Sequence, residues 1–239
     1  MAGANSDSEK FARRDWDSHP PNLHPDYKST PLRAPGKPLV ILPQSLSELT
    51  GPVYGHAAVG DLDHDLTKSA ARTGAPNGER IIVAGTVWDE DGRPVPDILL
   101  EVWQPNAAGR YNHADDQHDA PIDPNFLGAG RCVTDGAGRY CFVTIKPGAY
   151  PWPNHYNAWR PAHIHFSLFG ASILTRLITQ MYFTGDPLLA LDPIYNGVPA
   201  ASRQLLVADL SIDLSEPEWA LGYAFDICLR GRAATPMEA

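Results

Sequence analysis

Short apolar runs separated by glycine-rich turns dominate the chain from residue 81 onward. Residues 81–104, IIVAGTVWDEDGRPVPDILLEVWQ, predict a strand, a turn and a strand, because β-branched and aromatic residues flank the turn-forming DEDGRP. Residues 130–148 repeat the arrangement, with TDGAG as the turn and Tyr140 and Phe142 on one face. AHIHFSLFG, RLITQMYFTG and YAFDICLRG predict three further strands. Such a succession predicts an all-β fold, an antiparallel β-sandwich.

The first 80 residues follow a different pattern. They lack sustained periodicity and are rich in proline between residues 20 and 44, so they predict an extended arm without a core of its own. Such an arm must lie on its own body or on another subunit. SLSELTG, residues 45–51, predicts one helical turn, and residues 191–211 predict one short helix. We therefore expect an arm over 1–80, a sandwich domain over 81–239 and little helix.

The first candidate for chemistry is the HIH sequence inside AHIHFSLFG. Strand alternation puts His163 and His165 on one face and Ile164 and Phe166 on the other, against the core. The histidines are either polar residues on a solvated strand face or a pair of imidazoles that converge on one metal ion. An HxH pair alone does not decide between these two interpretations.

Several partner sets for the two histidines remain open. A cupin-type site would need a glutamate shortly after His165, and a two-histidine, one-carboxylate site would need Asp or Glu beside them; neither is present. A three-histidine zinc site would draw on His113, His118 or His155. Tyrosines are the remaining candidates, since a strong Lewis acid such as Fe(III) can hold phenols as phenolates. Otherwise these tyrosines are ordinary loop aromatics.

Composition limits the partners. The formal net charge is -9 and no lysine- or arginine-rich run is present, so neither nucleic acid nor an anionic membrane is an expected partner. No segment approaches the ~20 consecutive apolar residues of a membrane span. The three cysteines form no metal motif and leave an odd one if two pair, which favours a reduced, cytoplasmic protein.

The motifs together resemble the intradiol ring-cleavage dioxygenases. The likeness covers nearly the whole chain, in order, and is closest to the branch of the family that acts on protocatechuate. No helical N-terminal dimerisation segment of the catechol and hydroxyquinol branches is present. The matching motifs are PDYK, LPQSLSELTGP, GERIIVAGTVWDEDGRPVPDILLEVWQPNAAGRY, DPNFLGAGRCVTD, TIKPGAYPW, WRPAHIHFSLFG, LITQMYFTGDPL and YAFDICLRGR.

This resemblance implies a mononuclear, non-haem Fe(III) held by Tyr111, Tyr150, His163 and His165. It further implies that the Tyr150 phenolate serves as a base toward the substrate and that Arg160 stabilises negative charge on the substrate ring. The residues implied for the substrate pocket and its surroundings are Tyr27, Trp152, Gln180 and Ile194, with Trp103 either there or in the core. Residues 151–160, which follow Tyr150, are PWPNHYNAWR, and Pro153, His155 and Tyr156 depart from the usual family pattern.

The implied reaction inserts both atoms of O2 between the hydroxylated carbons of protocatechuate. The implied partner is an α subunit, which completes the pocket within a higher-order α/β oligomer whose interface the arm crosses. Three alternatives remain: an intradiol dioxygenase for catechol or hydroxyquinol, a zinc hydrolase, and a non-enzymatic prealbumin-like binding module.

Overall fold

The computed structural model describes residues 16–37, 55–70, 74–156, 159–170 and 176–238. Over these ranges the chain is mostly β-structure, as predicted. The helices are short, α1 (Thr30–Arg33) and α2 (Pro193–Gly197), and among the described residues no helix has the length and apolar character needed to cross a membrane. The strands are β1 (Arg80–Trp88), β2 (Leu99–Trp103), β3 (Ala129–Val133), β4 (Arg139–Ile145), β5 (Tyr150–Pro151), β6 (Trp159–Arg160), β7 (His163–Phe169), β8 (Leu177–Phe183), β9 (Val207–Glu216), β10 (Ala220–Ala224) and β11 (Ile227–Cys228). Single 3₁₀ turns lie at Trp16–Ser18, His56–Ala58, Pro187–Ala190 and Arg203–Leu206.

Most of the strands form one continuous path of hydrogen-bonded neighbours. Its order is β11-β1-β10-β9-β8-β7-β2-β3, with β4 on the other edge of β1, while β5 and β6 pair with each other. Three pairs, β1 with β10, β1 with β11, and β8 with β9, are parallel, so the predicted antiparallel arrangement is wrong there. Residues 184–206 give β8 and β9 the long connection that a parallel pair requires.

The two predicted turns connect strands that do not pair with each other. β1 pairs with β4, β10 and β11, whereas β2 pairs with β3 and β7. The DEDGRP turn therefore connects β1, in the half of the path that contains β4, β10 and β11, to β2, in the half that contains β3 and β7. The TDGAG turn connects β3 back to β4. The predicted common face of Tyr140 and Phe142 is confirmed, since their rings stack with centroids 6.4 Å apart.

One hydrophobic core takes side chains from both halves of the path. Val83 and Phe142 come from one half, and Leu100 and Phe166 come from the other. All four side chains are 0% exposed. Leu66, from the N-terminal region, is also fully buried in this core. That region therefore lies partly on its own body, although SLSELTG falls outside the described residues.

Gly85 allows the backbones of β1 and segment 224–226 to approach closely. A Cβ at Gly85 would lie 1.9 Å from the carbonyl oxygen of Phe225, and this backbone cannot move aside as a side chain could. We expect Gly85→Ala to lower the free energy of unfolding by about 3 kcal/mol or more. Gly136→Ala is the control, because its Cβ would meet no atom within 4 Å. Urea unfolding measures both, and equal stability of the two variants would contradict this account.

Candidate metal centre

The two histidines of the HIH sequence lie on an interior strand. β7 pairs with β2 on one side and β8 on the other. His163 is 0% exposed and His165 is 7% exposed, so the interpretation that they occupy a solvated face is wrong. Their ring centroids are 4.9 Å apart. Alternation correctly predicted their shared side, but both sides of β7 are covered.

Two tyrosines approach these imidazoles from separate segments. The Tyr150 hydroxyl lies 3.4 Å from His163 Nε2, and the Tyr111 hydroxyl lies 3.2 Å from His165 Nε2. The two phenol rings are edge to face, with centroids 5.4 Å apart. The structure thus brings together all four side chains that the resemblance implied as ligands.

Local structure explains how two segments remote from β7 reach it. Tyr150 begins β5, which pairs with β6 so that Tyr150 lies opposite Arg160. Tyr111 follows a turn whose Gly109 has φ 78°, and a Cβ at Gly109 would lie 2.2 Å from the carbonyl oxygen of Ala149. Only glycine permits this approach. The Tyr111 N–H donates to Asp116 Oδ2 at 2.7 Å, which fixes the backbone beyond the turn.

The hydrogen bonds of the imidazoles fix which nitrogens face the tyrosines. His163 Nδ1 lies 2.7 Å from the Pro161 carbonyl oxygen, and because a carbonyl only accepts, Nδ1 carries the proton. His165 Nδ1 lies 3.0 Å from Glu238 Oε2, which likewise accepts. In the neutral form of each ring Nε2 therefore carries the lone pair, and it faces a tyrosine hydroxyl as a metal ligand requires.

Burial controls the protonation of this group. It lowers the pKa of His163 well below its ordinary value, an effect that the charge of Arg160 adds to. Burial also raises the pKa of Tyr111 well above its ordinary value, and it raises the pKa of Tyr150, where Arg160 opposes part of the effect. Both phenols are therefore neutral unless a cation binds. Two imidazole nitrogens and two potential phenolates fit a hard, highly charged ion such as Fe(III).

The described residues contain no group of three or more His, Cys, Asp or Glu side chains that could hold a metal. A three-histidine zinc site that recruits His113, His118 or His155 is thereby excluded, since all of these residues are described. The tyrosine-containing set has only two residues of those types and is unaffected by this result.

Arg160 is buried beside the four side chains and is held by a carboxylate. Its Nε and Nη2 donate to the two oxygens of Asp192, each at 3.0 Å, and Nη2 also donates to Gln180 and Tyr182. The ion pair is almost completely buried, with side chains 3% and 0% exposed. This bidentate contact fixes the guanidinium plane.

The residues implied for the substrate pocket come from separate segments of the chain. Tyr27, from the N-terminal arm, packs against Trp152 with ring centroids 4.7 Å apart, and the guanidinium carbon of Arg160 lies 5.5 Å from the Trp152 ring.

Gln180 is buried on β8, opposite His165. Ile194 is buried in the first turn of α2, which Asp192 caps by accepting the Ile194 N–H at 3.3 Å. Trp103 is the cross-strand neighbour of His165, and the two rings stack 4.8 Å apart.

The arm is fastened to the loop that follows Tyr150. Asn154 Oδ1 accepts the Ser29 N–H at 3.1 Å, and Asn154 Nδ2 donates to Ser29 Oγ at 3.0 Å. Lys28 adds a backbone bond to the Asn154 carbonyl and a side-chain bond to the Pro153 carbonyl. The stretch that departs from the family pattern is therefore where the arm is held, close to Tyr27.

Sequence reasoning missed three residues of the site, Asp192, Tyr182 and Glu238. Asp192 precedes a proline at the start of a short helix, a signal that predicts a helix cap but not a contact with Arg160. Tyr182 shares a strand face with Gln180 by alternation, so the pattern could have indicated it. No local pattern points to Glu238. Burial alone would raise the pKa of Glu238, but His165 and Arg160 hold that pKa below its usual value.

Comparison with known proteins places the chain in a family. Residues 49–231 match the model of the dioxygenase family, and residues 12–45 match that of the protocatechuate 3,4-dioxygenase beta subunit N terminal region. The chain is 63% identical to the protocatechuate 3,4-dioxygenase beta chain of Burkholderia cepacia, over 94% of this chain and 96% of that one. It is 32% identical to the alpha chain from Pseudomonas putida, over 83% and 97%.

A solved structure has the same fold. The 3-chlorocatechol 1,2-dioxygenase from Rhodococcus opacus 1CP aligns with a TM-score of 0.56 and 26% identity, over 71% of this chain and 66% of that one. Together with the match over residues 49–231 and the 63% identity over nearly the full length, these likenesses establish that the chain belongs to the intradiol ring-cleavage dioxygenase family.

Proposed function

We propose that this chain is the catalytic subunit of a protocatechuate 3,4-dioxygenase. The enzyme inserts both atoms of O2 between the two hydroxylated carbons of protocatechuate and forms 3-carboxy-cis,cis-muconate. The observation that carries the proposal is the convergence of two phenol hydroxyls on two imidazole Nε2 atoms, at 3.4 Å and 3.2 Å. The substrate assignment is supported by the full-length likeness to a protocatechuate 3,4-dioxygenase beta chain.

The proposed cofactor is one non-haem Fe(III), held by Tyr111, Tyr150, His163 and His165. When bound, Fe(III) supplies a Lewis acid that stabilises phenolates and accepts charge from a chelated catechol. The chain itself contributes a buried set of donor atoms. The Nδ1 atoms of both histidines are already hydrogen-bonded, to the Pro161 carbonyl and to Glu238, so both Nε2 atoms are oriented toward the centre. Because burial raises the pKa of both phenols, either oxygen is a strong base in its phenolate form.

Tyr150 and Arg160 are the proposed catalytic residues. The Tyr150 phenolate accepts a proton from a substrate hydroxyl at its Oη atom, which is general-base catalysis by a residue already in place. Arg160 lies opposite Tyr150 in the β5–β6 pair, and Asp192 fixes its guanidinium. Its permanent positive charge stabilises the negative charge that develops on the substrate ring.

The proposed substrate pocket is bounded by Tyr27, Trp152, Gln180 and Ile194. Tyr27 and Trp152 offer flat apolar surfaces suited to an aromatic ring. Gln180 Oε1 accepts hydrogen bonds from Arg160 and Tyr182, so it holds the catalytic cation in place. The arm closes the Tyr27 side and limits access of water to the reacting atoms.

The proposed partner is an α subunit in a higher-order α/β oligomer, because relatives of this chain are named as alpha and beta chains.

We further propose an arm over 1–80, a catalytic domain over 81–239 and two sandwich layers formed by the two halves of the strand path. A cytoplasmic location is proposed from the three cysteines, all of which are free. The zinc hydrolase and the prealbumin-like binding module gain no support from the comparisons.

The test of substrate choice is oxygen uptake by the co-expressed α/β complex with protocatechuate, catechol and hydroxyquinol. We expect protocatechuate to give the largest kcat/KM and one O2 to be consumed per substrate. Preference for catechol or hydroxyquinol would contradict the substrate assignment but not the family. A product spectrum other than that of 3-carboxy-cis,cis-muconate would contradict the site of ring cleavage.

The contact between Asn154 and the arm gives a further prediction. Asn154→Ala removes both bonds to Ser29 and should lower the free energy of unfolding by about 1 kcal/mol, with a raised KM because Tyr27 is released. Ser29→Ala removes only the Oγ bond. In the Asn154→Ala background, Ser29→Ala should cost nothing further, since its partner is gone. Additive losses in a double-mutant cycle would show that the two side chains act independently.

A further inference from the structure

The segment formed by residues 234–238 reaches the metal centre. Its Glu238 places Oε2 3.0 Å from His165 Nδ1, on the side of the ring away from Tyr111. The His165 ring plane stacks on Trp103 at 7°. His165 is therefore held by its partners in three ways: by a carboxylate at Nδ1, by an indole against its face, and by Tyr111 at Nε2.

Backbone and side-chain bonds hold segment 234–238 against β8. The Glu238 N–H donates to the Ile178 carbonyl at 2.7 Å, and Thr179 Oγ1 donates to the Pro236 carbonyl at 2.7 Å. The Met237 N–H donates to His19 Nδ1 at 3.0 Å, which joins the segment to the arm as well. β9 pairs with β8 only at Tyr182 and Phe183, so the backbone near Ile178 is open to this segment.

The two histidines differ in the group that accepts the Nδ1 proton. His163 donates to the carbonyl of Pro161, a neutral acceptor two residues away on the same chain segment. His165 donates to a carboxylate that comes from 73 residues farther along the sequence. An anionic acceptor increases the electron-donating strength of the opposite nitrogen and fixes the tautomer and ring orientation, and loss of such outer partners typically costs 10–100-fold in metal affinity.

We propose that Glu238 is a positioning residue of the metal centre. Its carboxylate accepts the His165 Nδ1 proton, holds Nε2 toward Tyr111 and strengthens Nε2 as a donor to the metal. Segment 234–238 and the arm residue His19 thereby stabilise the metal site from outside. This inference rests on the proposed function, since the metal is the Fe(III) proposed above.

The experiment compares Glu238→Gln and Glu238→Ala in the co-expressed, iron-loaded α/β complex. The readouts are the rate of iron loss to an excess of chelator, the position of the visible absorption band, and the thermal stability of the iron-free complex. We expect Glu238→Ala to lose iron about 10–100-fold faster than the unaltered complex. Glu238→Gln keeps an acceptor oxygen but not the charge, so its rate should lie between those two. Both variants should shift the visible band.

Glu90→Gln is the matched control. Glu90 forms a partly buried ion pair with Arg230 at 2.7 Å, and Arg230 lies shortly before segment 234–238 in the sequence. Glu90 is not a hydrogen-bond partner of His165, which contacts Glu238 and Tyr111. We expect this variant to retain iron and its visible band unchanged. The intermediate rate of Glu238→Gln together with an unchanged iron-free stability would support positioning rather than a loss of folding.

Two results would overturn the inference without affecting the proposed function. One is a rate of iron loss and a visible band in Glu238→Ala equal to those of the unaltered complex. The other is equal acceleration in Glu238→Ala and Glu90→Gln, which would assign the effect to general loosening. An unaltered complex that takes up no iron, even after reconstitution with ferrous salt in air, would overturn both this inference and the proposed function. Iron binding that is indifferent to Glu238 would overturn the inference alone.

Discussion

His163→Ala is expected to leave the co-expressed complex without bound iron and to lower ring-cleavage activity at least about 1,000-fold. Loss of an outer hydrogen-bond partner typically costs 10–100-fold, and loss of a ligand should cost more. His163 is 0% exposed, and its Nε2 faces the Tyr150 hydroxyl at 3.4 Å. Among the described residues no third imidazole joins His163 and His165 in a group that could hold a metal. Iron content per chain and oxygen uptake with protocatechuate are the measurements.

His113→Ala is the control for that experiment. The His113 side chain is 69% exposed and lies outside the four-residue set. We expect this variant to keep full iron content and activity. Iron loss in His113→Ala, with retention in His163→Ala, would contradict the assignment of the ligands. Circular dichroism of both variants distinguishes loss of the ligand from loss of the fold.

Arg160→Leu is expected to destabilise the chain by about 3–5 kcal/mol, because it leaves the Asp192 carboxylate buried without its partner. The same change removes the positive charge beside Tyr150, so kcat should also fall about 100-fold or more, the effect of losing one preorganised charge-stabilising group. Urea unfolding of the iron-free chain and steady-state kinetics measure the two effects separately.

A double variant separates the structural role of Arg160 from its chemical role. Arg160→Gln combined with Asp192→Asn keeps hydrogen-bonding groups at both positions and leaves no unpaired charge, and an amide at residue 192 can still cap α2. We expect the double variant to regain more than half of the lost stability while kcat stays low. Recovery of kcat together with stability would show that Arg160 acts only by supporting the fold.

The HIH pattern predicted on which side of β7 each residue lies, but it did not predict that both sides are buried. Alternation along residues 163–169 correctly put Ile164 and Phe166 in the core, because a strand exposes successive residues to opposite sides. It could not show that His163 is also buried, because the chain around Tyr111 and Tyr150, which packs on that side of the strand, is remote in sequence. Tyr111 and Tyr150 entered only through the family resemblance, because a tyrosine in a loop carries no spacing rule.

Other features of the fold depended on long-range contacts. β9 was not predicted, although Leu210, Ile212 and Leu214 alternate with polar residues over 209–215 as a strand requires. Leu210 and Ile212 are 47% and 74% exposed, so in this chain the apolar side of the strand is not covered by the core. The parallel pairing of β1 with β10 joins segments about 140 residues apart, and no turn signal specifies it. Glu238 illustrates the same limit at the site, since its contact with His165 requires the path of segment 234–238 along β8.

The central claim is that two phenolates and two imidazoles bind one ferric ion in this chain. The most direct test is the visible absorption spectrum of the co-expressed α/β complex, purified in air, before and after anaerobic addition of protocatechuate, with iron quantified in the same sample. The account predicts a coloured protein with a phenolate-to-Fe(III) charge-transfer band that shifts when substrate binds. A colourless sample that contains one iron per chain would contradict it, because the tyrosines would then not be ligands.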